Sequence, residues 1–322
     1  MNSNVSNSIS PRVRVVIVTF NAEEIIADCL NSLKPDFDSG LLEVVVADNN
    51  SSDQTANLIL QKFAWVELRR TGANLGFGAG NNIGAEGCRS DFLYFFNPDA
   101  RNRSNSIQRL VSVLDDNRKV GIAGPLVLDE DGKPTLSTYC FITPFQAVWI
   151  ALGLQHLIPF NRINGMLEIR KSPPPVQVSC DRLLGAAMLI RNDLFITLEG
   201  FDNNIFLYSE EEDLCLRCQK EGFEVKFDPS AEVTHLGSKT IVPFSVLGTA
   251  SASWSLGYFL KKHYNAITSR VAIFIWVLML IVKLIVTILF IRNNRHNRLQ
   301  GYRAAILALT VPEYYERRVK PH

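Results

Sequence analysis

Several stretches of this chain put carboxylates, amides and a histidine where they could handle a charged substrate. The segment Phe96-Asn97-Pro98-Asp99-Ala100 follows the apolar run Asp91-Phe92-Leu93-Tyr94-Phe95. The proline ends the strand and leaves Asp99 at its mouth. A carboxylate there suits a divalent cation and, through it, a diphosphate. Alone, Asn-Pro-Asp is also an ordinary turn. Its neighbours in the fold decide between the two.

Upstream lies Val44-Val45-Val46-Ala47-Asp48-Asn49-Asn50-Ser51-Ser52-Asp53. Asp48 could accept a hydrogen bond from a pyrimidine ring N–H or a ribose hydroxyl. It could also close an Asx turn. The run Gly72 to Asn82, with Asn74 and Gly76, enters a helix. Glycines let backbone N–H groups approach an anion, and helix N-termini attract phosphate. No Gly-Lys-Ser/Thr follows, so this is not a P-loop. It comes after the third strand, so it is not a dinucleotide fingerprint either.

Further on, Glu210-Glu211-Glu212-Asp213 opens a helix that continues through Leu214-Cys215-Leu216-Arg217. Acids in a first turn favour the helix dipole. Adjacent acids also repel one another, and crowding raises the pKa of at least one, as a general base requires. On a helix Glu210 and Asp213 share a face, and Glu211 points elsewhere, toward the cleft. His235, in Ala231-Glu232-Val233-Thr234-His235, is expected to join Asp99 as a metal ligand. Oxygen-rich ligands suit Mg2+ or Mn2+.

These residues need a scaffold. Strands are predicted over 12–19, 42–47, 66–69, 91–96 and 120–125. Helices are predicted over 23–33, 53–63, 80–88 and 104–116. The strands are continuous apolar runs, as in strands buried on both faces. Strand–helix alternation implies a mostly parallel sheet, whose ligands bind beyond the carboxyl ends of the strands. Thr19, Asn21, Asp48, Asn74, Asn97 and Asp99 all fall at or just after such ends. The fold resumes at 176–190, and a strand over 224–227 precedes His235.

The chain has 322 residues, with 33 Lys and Arg against 32 Asp and Glu. That near balance leaves no basic footprint for nucleic acid. Cys215 and Cys218 have CxxC spacing but no second pair, so zinc is not expected. Reduced, mostly buried thiols fit a cytoplasmic catalytic domain. Residues 1–11 read as a disordered lead-in without the apolar core of a signal peptide. The division expected is a catalytic domain over 12–245 and a helical region over 246–322. An apolar, aromatic insertion over 139–170 reads equally as a lid or as a membrane-interface element. A stiff connector, Lys171 to Pro175, follows it.

Val271 to Ile291 carries one charge, Lys283. As a helix it is about 30 Å long, enough to span a bilayer core. Basic residues flank both ends, so a single span and a helix lying in the interface both remain open.

Together the motifs resemble glycosyltransferase family 2, of the GT-A fold. The resemblance rests on Thr19-Phe20-Asn21, Asp48 to Asp53, Asn74-Leu75-Gly76-Phe77, Asn97-Pro98-Asp99, Gly200-Phe201-Asp202 and Glu210 to Arg217. Asn-Pro-Asp in place of Asp-x-Asp, with His near 235, resembles the rhamnosyltransferase-like branch. The resemblance implies an α/β, mostly parallel mixed sheet flanked by helices, with a membrane-associated C-terminal helix. It implies an inverting hexosyltransferase that uses Mg2+ or Mn2+. Its donor would be a nucleotide sugar, dTDP-rhamnose or a UDP-sugar, and its acceptor a polyprenyl-diphosphate-linked glycan of O-antigen or exopolysaccharide synthesis. The expected place is the cytoplasmic face of the inner (plasma) membrane, held peripherally or by one span. The nucleotide base would lie near Asp48 and the diphosphate near Asp99 and His235. Glu211 stands where the family has Asp and would be the base, with Glu210 as its rival. A nucleotidyltransferase fits less well, because Thr19-Phe20-Asn21-Ala22-Glu23 lacks a Gly-rich basic loop. A non-catalytic membrane scaffold would not need the acidic block.

Overall fold

The computed structural model describes residues 11–154, 176–237, 245–311 and 313–320. The lead-in up to residue 10, the insertion beyond 154 and the proline connector lie outside the described residues. The first strand, β1 (Val13–Thr19), is buried along its whole length. It pairs in parallel with β2 (Leu42–Asp48), Val13 opposite Leu42 and Thr19 opposite Asp48. That register brings the last residues of both strands side by side at one sheet edge. β3 (Glu67–Arg70) and β4 (Phe92–Phe96) extend the parallel set on either side.

The first connecting helices are α1 (Ile26–Asp38), α2 (Thr55–Lys62) and α3 (Phe77–Ala85). α1 runs past the expected end at Leu33 and contains Pro35. Phe37, beyond the proline, packs on Trp65 with ring centroids 4.7 Å apart, and tertiary packing of this kind outweighs the missing donor. Next come β5 (Ala100–Asn102), α4 (Ser106–Asp116), β6 (Val120–Leu128), β7 (Thr138–Tyr139) and α5 (Pro144–Ala151). After the undescribed stretch follow β8 (Val178–Ser179), β9 (Arg182–Leu183), β10 (Ala187–Arg191), α6 (Asn192–Thr197), α7 (Glu210–Lys220) and β11 (Glu224–His235).

The main sheet has the order β3-β2-β1-β4-β10-β6-β11-β5, with β8 also on β11. β10 is antiparallel to both neighbours, β4 and β6. Alternate strand residues feed opposite faces. Val13, Val15 and Ile17 pack beneath α1 and α4, with Leu30 and Leu110. Val16, Leu93 and Phe95 pack on the other side with Leu194 of α6 and Leu214 of α7. Cys215 and Cys218 belong to that second layer as buried free thiols. Burial pushes the Cys218 thiol up to about 12. The expected short strand at 224–227 continues as β11 to His235, through an irregularity between Asp228 and Glu232. This bulge accommodates Pro229 without ending the strand.

The C-terminal region is helical: α8 (Val246–His263), α9 (Ala266–Phe290), α10 (Arg295–Thr310) and α11 (Tyr314–Arg318). It packs on the sheet domain, where Phe206 and Leu207 share a cluster with Ala250, Ala304 and Tyr315. α5, the described part of the insertion, packs on α8 and α9 through Ala147. Among the described residues, α9 alone is long and apolar enough to cross a bilayer.

Candidate active site

The β1–β2 register sets up the first half of the site. Thr19 Oγ1 donates to Asp48 Oδ1 at 3.2 Å, and Ser51 N donates to Asp48 Oδ2 at 3.3 Å. Asp48 is almost fully buried. Each carboxylate oxygen can accept a further hydrogen bond. Asn21 fastens the loops after β1 and β2 together. Its N–H donates to Ser51 Oγ at 2.9 Å, and its Oδ1 accepts from Ser52 N at 2.8 Å.

The Gly/Asn loop differs from its expected use. Asn74 Oδ1 accepts from Gly76 N at 3.2 Å, and Phe77 N donates to the Phe206 carbonyl at 3.0 Å. The first amide of α3 and that of its N-cap therefore meet protein acceptors. Gly76 has φ +87°, and a Cβ there would sit 2.1 Å from the Phe206 carbonyl oxygen. The glycine is explained by this close approach and needs no phosphate. Asn49, not singled out from sequence, holds the same loop through Nδ2 to the Gly76 carbonyl at 2.8 Å.

The second half gathers around β4, β10 and β11. Antiparallel pairing sets Ala100 of β5 opposite His235 of β11, which brings the imidazole to the Asn-Pro-Asp turn. His235 Nε2 lies 3.0 Å from Asp99 Oδ1 and 3.4 Å from Asn97 Nδ2. Two neighbouring ligands of an octahedral Mg2+, each about 2.1 Å from the ion, are themselves about 3.0 Å apart. The 3.0 Å contact is itself an imidazole–carboxylate hydrogen bond or ion pair, and the same spacing would suit two adjacent ligands of one cation. Among the described residues no group of three or more His, Cys, Asp or Glu could hold a metal. A cation here would draw its other ligands from substrate phosphate and water, as Mg2+ commonly does.

The acidic block enters from α7. Tyr208 and Ser209 both have positive φ, 69° and 67°. This left-handed step turns the chain so that the acids start the helix. The block does not act as one unit. Glu211 accepts from Arg182 Nη1 at 3.0 Å, and the guanidinium lies over the Tyr139 ring, 4.4 Å from its centroid. Burial alone would lower the Arg182 pKa, but Glu212 and Glu211 outweigh it and raise it. Glu212 accepts from Ile142 N at 2.6 Å, tying the start of α5 to α7. Glu210 is buried, with Oε2 lacking a partner. Burial first, and then the charge on Glu211, hold its carboxyl well above the usual carboxylate range.

Asp213 departs from the expected catalytic group. It is fully buried and meets three side chains: Arg217 at 2.7 Å, Lys262 at 2.6 Å and His263 at 2.7 Å. Burial opposes its charge, but the His263 hydrogen bond, Arg217 and Lys262 prevail and hold its pKa below the usual range. It joins α7 to α8 and does not enter the crevice with Glu211.

One short segment connects the two acidic centres. Asn97 N donates to the Ala186 carbonyl at 2.9 Å. The preceding Gly185 lies against Glu211, 3.7 Å from its side-chain carbons when a Cβ is added. Leu184, Tyr139 and His235 line one open hollow of roughly 540 Å3. Asp99 is linked to this hollow through its contact with His235, and Glu211 through Arg182, which lies over Tyr139. Arg182 and Tyr139 were missed from sequence, because no motif links β7, β9 and α7.

The sheet order and flanking helices define a GT-A fold. Solved structures with the same fold include S. aureus TarS 1–349, with TM-score 0.53 and 14% identity over 93% of this chain and 81% of that one. GalNAc-T7 with UDP, GalNAc and Mn2+ has TM-score 0.59 and 14% identity over 96% of this chain and 57% of that one. Residues 14–163 match the model of glycosyl transferase family 2. N-acetylglucosaminyl-diphospho-decaprenol L-rhamnosyltransferase of Mycobacterium tuberculosis is 30% identical over 213 residues, 60% of this chain and 66% of the relative. The match therefore spans just under two thirds of that relative's length. Rhamnosyltransferase WbbL of Escherichia coli is 26% identical over 69% of this chain and 83% of its own. dTDP-rhamnosyl transferase RfbF of Shigella flexneri is 25% identical over 75% and 72%. These relatives place the chain in the rhamnosyltransferase-like branch.

Proposed function

We propose that this chain is an inverting glycosyltransferase that moves L-rhamnose from dTDP-rhamnose to a hydroxyl of a polyprenyl-diphosphate-linked glycan. The observation that supports the reading is one hollow lined by His235, the partner of Asp99, and by Tyr139, whose ring lies under the Arg182 guanidinium that holds Glu211. Relatives named for rhamnosyl transfer, one of them to a decaprenol-linked acceptor, support the donor and the acceptor class.

In this reading Asp48, aligned by Thr19 and Ser51, accepts from the nucleotide. Asn21, Asn74, Gly76 and Asn97 shape the loops around it. Asp99 and His235 would hold a divalent cation, which when bound would neutralise charge on the departing group. Glu211, oriented by Arg182, takes the proton of the acceptor hydroxyl as that oxygen attacks the anomeric carbon. Attack comes from the face opposite the leaving diphosphate, which gives inversion. Glu210 is more deeply buried than Glu211, so it is the weaker candidate for the base. The enzyme works at the cytoplasmic face of the inner membrane, held by the exposed apolar surface of α9.

Purified protein with dTDP-rhamnose, Mg2+ or Mn2+ and a polyprenyl-diphosphate-linked acceptor should yield a rhamnosylated lipid. Absence of transfer from any nucleotide sugar tested would overturn the reading.

A further inference from the structure

We propose that α9 lies flat in one leaflet of a bilayer and does not cross it, which keeps the catalytic crevice at headgroup depth. The proposal rests on the membrane association inferred above. α9 doubles back along α8. Ser269 Oγ donates to the Leu260 carbonyl at 2.7 Å, and Trp276 Nε1 donates to Ser253 Oγ at 3.4 Å. α10 then returns along α9. It starts where Arg295 donates to the Ile288 carbonyl at 2.8 Å and ends where Leu309 packs against Gly257 of α8. Beyond it, Tyr315 stacks on Trp254, with centroids 4.7 Å apart and its hydroxyl 2.7 Å from Ser251 Oγ. Both ends of the α9–α10 hairpin are therefore fastened to α8. A crossing by α9 would draw α10 into hydrocarbon with Arg295, Arg298 and Arg303.

α9 has two unlike faces. Ser269, Ala272, Leu280 and Thr287 are buried inside the protein. The other face is open and apolar, with Phe274 62% and Leu289 64% exposed. An apolar face of this extent, about 37 Å long, marks an interaction surface. Its occupant is a lipid leaflet, because Arg270 and Arg292 bracket the apolar stretch as anionic headgroups require. α5, packed on α9 through Ala147, presents Phe145 at the surface, 61% exposed. Just before Phe145, Ile142 is bonded to Glu212, and Tyr139 lines the crevice. A lipid-borne acceptor in the leaflet thus meets the acidic block without leaving the interface.

The test uses the full chain with a single cysteine in place of Arg270 or Arg292, in sealed inside-out vesicles. A membrane-impermeant maleimide is added outside, and the labelled residue is identified by mass spectrometry. Both positions should react at comparable rates before detergent. Protection of one end until detergent is added overturns the flat placement while leaving glycosyl transfer untouched. Loss of transfer with same-sided labelling does the reverse. In a second arm, F274E/L278E/I285E should lose sedimentation with phosphatidylglycerol vesicles while its circular dichroism stays that of the wild type. A wild type that stays in the supernatant, or that self-associates through this face instead, overturns the lipid occupant.

Discussion

Arg182 Nη1 donates to Glu211 Oε1 at 3.0 Å, so this carboxylate is already aimed by a cation. The guanidinium is in turn fixed over the Tyr139 ring. A single-donor contact leaves lone pairs on Glu211 for a second proton donor, the acceptor hydroxyl.

Glu211→Gln should lower kcat by about 10²–10⁴-fold, the usual contribution of a general base, with thermal stability near that of the wild type. Arg182→Lys keeps the charge but loses the planar fork. It should lower kcat and leave the donor KM close to its original value. Steady-state kinetics against donor and acceptor separately check both. An unimpaired Glu211→Gln enzyme would remove this residue from the mechanism.

Asp99 and His235 should matter to metal-dependent affinity more than to folding. Calorimetric titration of dTDP with and without Mn2+ should show a metal-dependent gain in the wild type. That gain should be absent in Asp99→Asn and reduced in His235→Ala. Equal gains in all three proteins would dissociate the pair from the diphosphate.

Asp213→Asn removes the shared acceptor of Arg217, Lys262 and His263. Breaking a buried ion pair of this kind costs roughly 3–5 kcal/mol. Because the folded carboxyl is held below the ordinary range, its stabilising contribution is complete above that range and fades as pH falls below about 4. Urea titrations of wild type and variant should therefore differ most near neutral pH and converge in acid.

Glu210 has the opposite sign. Its folded carboxyl binds its proton more tightly than the unfolded one does, so stability falls as pH rises from the ordinary carboxylate range toward the raised value. Glu210→Gln should be no less stable than the wild type in mild acid and increasingly more stable as pH rises. Denaturation midpoints across pH 5 to 9 read this directly. Midpoints that run parallel would refute the assignment.

The parallel half of the sheet was legible because β1, β2 and β4 are dominated by apolar residues, with Thr19 and Asp48 closing the first two. The place of β10 was not, since apolar periodicity carries neither strand order nor direction. His235 was read as following a short strand over 224–227, and the bulge before Glu232 carries the ladder onward past Pro229. The acidic block was visible as a block, but its division was not. The partners that separate Glu211 from Asp213 lie 29 positions away at Arg182 and 50 positions away at His263. Helical spacing shows which acids share a face, and it says nothing of the cations waiting there.

β10 fills the gap between β4 and β6, yet it is made after both. During synthesis on the ribosome, those two earlier strands emerge with facing edges that lack their common neighbour. Unpaired strand edges invite association with other chains. A nascent protein stopped before Ala187 would thus be a candidate for chaperone capture or precipitation, whereas release of a few more residues lets β10 fill that gap.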